Sequence, residues 1–147
     1  MKPSNPLRIA ASVSFFYCAG HTSGAPWMPP EGPETVALGE RMQSYRFDIM
    51  GSTRTLWDFH FGFGVIISVY LFVQAVILWQ LAALAKDDAR RARPLIATFT
   101  LASFANAVLV SKYFFAAPLV MAVAIVVCLV LSYWSARPRV SAVSPVP

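Results

Sequence analysis

The chain has 147 residues, 57% of them hydrophobic and 13% charged, with a net charge of +5 and a mean hydropathy of +0.58. That length suits one domain, and so small a polar fraction excludes an ordinary soluble protein, leaving an integral membrane protein. The positive charge does not point to nucleic acid, because Lys and Arg mostly flank apolar runs and form no basic stripe on a polar face.

Taken in chain order, the first predicted span covers residues 7–25. Its apolar core, Ile9 to Gly20, is short and follows Lys2 and Arg8, a form it shares with secretory signal peptides; it is read here as a span. The next stretch, residues 26–55, is the one long loop. It opens on "PWMPPEGP", where recurring proline forbids a helix. From 34 to 50, Leu38, Met42, Tyr45 and Ile49 recur at helical spacing, with Glu40, Arg41, Ser44 and Asp48 elsewhere around the axis. This predicts an amphipathic helix ended by Gly51-Ser52, serving either as a surface anchor or as a lid over a bundle.

Three further spans are predicted at 56–85, 95–113 and 119–134, each near the ~20 residues that cross a bilayer. Pro6, Pro94 and Pro118 mark helix starts, where the missing N–H has no intrahelical partner to lose. Cys18 and Cys128 lie inside apolar segments and read as small apolar helix residues, not a disulfide. The fold expected for 1–136 is an all-α, four-transmembrane-helix bundle with the amphipathic helix in its first outer loop. The tail 137–147, "RPRVSAVSPVP", reads as disordered.

Orientation follows from the basic residues. With both termini cytoplasmic, Lys2, Arg8, Lys86, Arg90, Arg91, Arg93, Arg137 and Arg139 lie inside, and Arg41, Arg46, Arg54 and Lys112 outside. Eight against four favours that arrangement. Trp27 and Trp57 then sit at the outer interface, Trp79 and Trp134 at the inner one. The expected location is the bacterial inner membrane, and the expected partners are the lipid bilayer and a lipophilic small molecule, with no nucleic acid.

Polar groups at membrane depth are costly and tend to face the interior of a bundle. The two histidines, His21 and His60, both fall at outer ends of apolar runs, joined in the outer half by Asp58, Asn106, Lys112 and Tyr113. At about 100° per residue, His60, Gly64, Ile67, Ser68, Leu71 and Gln74 share one face of the second span. Asp58 lies nearly opposite, unless Gly62 and Gly64 distort the helix, and Arg54 four residues earlier offers it an ion pair. Ser103, Asn106, Val110 and Tyr113 share a face of the third span. Lys112 points elsewhere, a snorkelling position. Each histidine also has an ordinary reading, bonded to helix-end or neighbouring backbone carbonyls. The sharper expectation is one outward-opening pocket with both imidazoles at its border. Gly20, Gly24 and Gly64 would allow the close helix approach.

"GHTSGAPWMP" followed by "GSTRTLWDFHFGFG" resembles a group of small, poorly characterised four-helix bacterial membrane proteins. The resemblance implies the four-span fold and brings no activity with it. A fainter similarity, in size and span number only, is to the four-helix sterol-isomerase and sterol-binding (EXPERA) superfamily. That similarity implies a lipophilic ligand held in the bundle, but the carboxylates such proteins use have no counterpart in the third and fourth spans here.

The leading functional expectation is binding of an isoprenoid- or sterol-like molecule, with isomerisation or cyclisation by acid–base groups His21, His60 and Asp58. Asn106, Tyr113, Gln74, Trp57 and Tyr17 would contact the ligand. No metal ligand set and no cofactor are expected in this reading. A second class is electron transfer, with His21 and His60 as axial ligands of a b-type haem. A third is a non-enzymatic partner subunit or assembly factor.

Overall fold

A computed structural model describes residues 2–24 and 31–137. The end of the first predicted span, Trp27 and nearly all of the predicted disordered tail lie outside the described residues. Among the described residues the secondary structure is helical apart from one hairpin: α1 Ser4–Gly24, α2 Pro33–Ser44, β1 Arg46–Ile49, β2 Ser52–Thr55, α3 Leu56–Asp87, α4 Ala89–Tyr113 and α5 Ala116–Ser135. Among the described residues, α3, α4 and α5 are long and apolar enough to cross a membrane. α1 is long enough, but Ser4, Asn5, Arg8, Ser12, Ser14 and the Gly20–Gly24 end dilute its apolar content.

The chain divides into two compact units, residues 1–14 with 74–147 and residues 15–73. In the first, α4 and α5 pack against each other. The buried positions recur at helical spacing: Ala92, Ile96, Ser103, Ala107 and Val110 on α4, and Ala122, Ile125, Leu129 and Ser132 on α5. The buried seams are rich in small residues, while Leu101, Phe104, Val120 and Val127 are exposed. Small residues inside and large apolar ones outside is the arrangement that suits helices in lipid, where close backbone approach replaces hydrophobic burial. Buried hydroxyls are satisfied: Gln74 Nε2 donates to Ser14 Oγ at 2.9 Å, and Ser132 Oγ donates to the Pro3 carbonyl at 2.8 Å. The latter bond brings the start of the chain to the last turn of α5.

One of the three proline-marked helix starts differs from expectation. Pro6 and Pro118 do lie in first turns, but Pro94 is inside α4, which begins five residues earlier at Ala89. The reason is Asp88. It is the single residue between α3 and α4, and its carboxylate accepts the Arg91 N–H at 3.0 Å and pairs with Arg91 Nε at 3.2 Å. That N-cap starts the helix upstream of the proline. At the other end of α4, Phe114 and Phe115 are extended and complete the turn into α5.

In the second unit the expected helix 34–50 stops at Ser44, and the next residues form a hairpin instead. Tyr45, Phe47 and Ile49 also alternate with polar residues, so the same stretch carries the period of a strand. The turn decides. Met50 and Gly51 both have positive φ, 49° and 78°, as a two-residue type I′ connection requires. The register pairs Ile49 with Ser52 and Asp48 with Thr53, whose hydroxyl donates to the Asp48 carboxylate at 2.6 Å. Tyr45 and Ile49, half of the expected apolar stripe, are therefore not on a helix, and α2 buries no residue.

Candidate functional site

α3 starts on a reciprocal capping box. The Thr55 N–H donates to Asp58 Oδ2 at 2.8 Å, and the Asp58 N–H donates to Thr55 Oγ1 at 3.1 Å. The signal was present in the sequence as Thr-x-x-Asp before an apolar run, and was missed. Asp58 is thus engaged at the helix terminus. Its expected ion pair with Arg54 does not form: Arg54 Nη1 donates to the Thr53 carbonyl at 2.8 Å, and Arg91–Asp88 is the one ion pair among the described residues. Asp58, Trp57, Arg46, Arg54, Thr53, Thr55 and Gln43 line an open polar cavity of about 320 Å³.

The helix runs unbroken through Gly62 and Gly64, so no distortion turns Asp58 toward the opposite face. His60 is exposed, its ring 5.5 Å from that of Trp57. On the other side of the helix start, Tyr45, Phe47, Phe59 and Phe63 form a run of ring contacts at 5.8–6.1 Å.

The polar centre of this unit lies deeper, around Ser68. His21 Nδ1 is 3.1 Å from Ser68 Oγ, Thr22 Oγ1 donates to Ser68 Oγ at 2.9 Å, and Cys18 Sγ donates to the Ser68 carbonyl at 3.3 Å. α1 supplies three side chains within about one turn, at i, i+3 and i+4, and α3 supplies a small residue that lets them approach. Because Thr22 donates to Ser68, the serine's own hydrogen is free for His21 Nδ1. With that hydrogen donated to Nδ1 the imidazole carries its proton on Nε2, for which there is no partner among the described residues; Ser68 Oγ, with two lone pairs, can equally accept from Nδ1–H.

Ser68 was expected on the His60 face; it lies eight residues further along α3, about 12 Å along the axis at ~1.5 Å per residue. His21 and His60 therefore answer to different partners. Among the described residues no contact brings the two rings together as a pair of axial ligands. Gly20 plays no part in close packing, since an added Cβ would meet nothing within 4 Å.

The remaining expected residues are scattered. Tyr17 is half-buried on α1. Gln74 is occupied with Ser14 in the first unit. Asn106 and Tyr113 are exposed. The buried face of α4 runs through Ser103, Ala107 and Val110, and Asn106 lies on its flank. Ser68, Thr22 and Cys18 are the residues that the sequence did not single out as a cluster. The spacing of Cys18, His21 and Thr22 on one helical face was the available signal. Compared with protein-family models, curated proteins and solved structures, the chain finds no match in any of the three.

Proposed function

We propose that the protein is a four-span membrane protein of the bacterial inner membrane that binds a lipophilic, isoprenoid- or sterol-like small molecule. In this reading α1 is the fourth span, both termini are cytoplasmic, and α2 with the hairpin forms an outer cap. The carrying observation is the Thr22–Ser68–His21 hydrogen-bond chain; in this reading His21 is neutral with its proton on Nε2, a donor that no described residue takes up. Such a donor recognises an acceptor oxygen, a carbonyl or hydroxyl, on an otherwise apolar ligand. Polar groups within apolar helices are costly unless they serve a ligand or one another.

This geometry supports binding ahead of catalysis. Isomerisation or cyclisation needs an acid that can give up its proton, and a neutral imidazole does so poorly. Asp58 is held in its capping box and lies more than two turns from Ser68, so it supplies no such acid there. The enzymatic form of the proposal requires His21 to take up a second proton.

The test is mass spectrometry of lipid extracted from the purified protein. A discrete lipophilic species should accompany the wild type and be lost from a folded His21→Ala variant. Equal recovery from both would reject the proposal. The alternative role as a partner subunit has its own observation, the exposed Leu38, Ile49 and Met50 of the outer cap. Retention of a second protein that depends on these residues, without any bound lipid, would favour it.

A further inference from the structure

A second site lies in the first unit, where the start of α4 meets the end of α5. Arg90, Arg93, Pro94, Ala97, Tyr133 and Ala136 line an open groove of about 460 Å³. Arg93 is its centre. Its guanidinium carbon sits 4.6 Å from the centroid of the Tyr133 ring, and Nη2 donates to the Tyr133 hydroxyl at 3.2 Å. The adjacent Nε is buried and has no hydrogen-bond partner among the described residues. An unsatisfied buried donor is rare, and more costly on a charged group than on a neutral one.

The local charges are uneven. Asp88 is committed to Arg91, and among the described residues neither Arg90 nor Arg93 has a carboxylate within ion-pair distance. The edge formed by Nε and Nη2 can donate two parallel hydrogen bonds to a carboxylate or a phosphate. Here one of its donors is unused and the other is held by a neutral hydroxyl at the long end of hydrogen-bond distance. Pro94, Ala97 and Ala136 make the rest of the groove apolar.

We infer that this groove binds the phosphate of an anionic membrane-lipid headgroup, with Arg93 as its anchor, Arg90 as a second charge and Tyr133 holding the guanidinium in place. The position supports a lipid as the source of the phosphate. The groove lies at the ends of two helices apolar enough to cross a bilayer, the level at which headgroups meet basic side chains. The inference is independent of the His21 cluster.

Native mass spectrometry of the full chain in detergent tests it, with phosphatidylglycerol titrated against phosphatidylcholine. The wild type should retain phosphatidylglycerol preferentially. Arg93→Ala should weaken that retention at least about fivefold, the loss expected for one basic residue at an anionic surface. Arg93→Lys, which keeps the charge without the fork, should also lose affinity. Arg91→Ala, which removes an arginine already paired with Asp88, should not. Circular dichroism establishes that each variant is folded; should Arg93→Ala unfold, Arg93→Lys and Arg90→Ala carry the comparison. Equal losses in the Arg91 and Arg93 variants, or no lipid preference in the wild type, would overturn the inference. Displacement of the lipid by millimolar inorganic phosphate would overturn the lipid as the source.

Discussion

Ser68→Ala is the most direct perturbation of the candidate site. It removes the bond from Thr22 Oγ1 and the bond to His21 Nδ1, at 2.9 and 3.1 Å, while leaving the Ser68 carbonyl and its Cys18 contact in place. Hydrogen bonds between membrane helices average about 0.6 kcal/mol and reach about 1.7. Two of them give an expected destabilisation of about 1–2 kcal/mol, a five- to thirtyfold change in the folded-to-unfolded ratio. The assay is reversible unfolding in mixed micelles. A double-mutant cycle with His21→Ala should isolate a coupling of about 0.6 kcal/mol, roughly threefold. Ser111→Ala is the control, because Ser111 donates only to the Val108 carbonyl of its own helix and is exposed. Nitrogen-15 NMR of labelled histidine adds an independent readout, in which His21 should be the neutral Nε2–H tautomer. A coupling within error of zero would refute the hydrogen-bond chain, and a proton found on Nδ1 the Nε2–H donor, on which the proposed function rests.

Leu129 is fully buried on α5, and Leu129→Ala should cost about 2–5 kcal/mol by the same unfolding assay, since the packed helices only partly close such a cavity. Thr55→Ala should remove the N-cap of α3 and cost about 1 kcal/mol, whereas Asp58→Asn, which retains an acceptor oxygen, should unfold close to wild type; a large loss of stability from Asp58→Asn would mean that the carboxylate has a structural partner beyond Thr55. For topology, cysteine introduced at Glu40 should be labelled by an impermeant reagent in intact cells and cysteine at Asp87 should not, with Cys18 and Cys128 replaced beforehand. The opposite pattern would invert the proposed orientation.

The apolar helices were legible because the property that makes them is local. Runs such as 56–85 are apolar throughout, and a backbone in such a run satisfies its own hydrogen bonds by coiling. Even the capping box at Thr55 and Asp58 was written in four consecutive residues. Residues 45–55 were not legible in the same way. Leu38, Met42, Tyr45 and Ile49 fit a helix, while Tyr45, Phe47 and Ile49 fit a strand. Pairing across the Met50-Gly51 turn selected the strand. The candidate site needed more still. His21 and Ser68 are 47 positions apart, and which residue of α3 faces His21 depends on how α1 and α3 slide and rotate against each other. Periodicity grouped Ser68 with His60, but a face has length as well as direction. The helix register chose Ser68 for His21 and left His60 beside Trp57. The same holds for Arg93. Its charge was counted as a marker of membrane orientation, and only the packing of α4 against α5 set it on Tyr133 with an unpaired nitrogen. Composition and periodicity determine what forms and which side is buried; which distant side chains become partners is decided by the packing of whole helices.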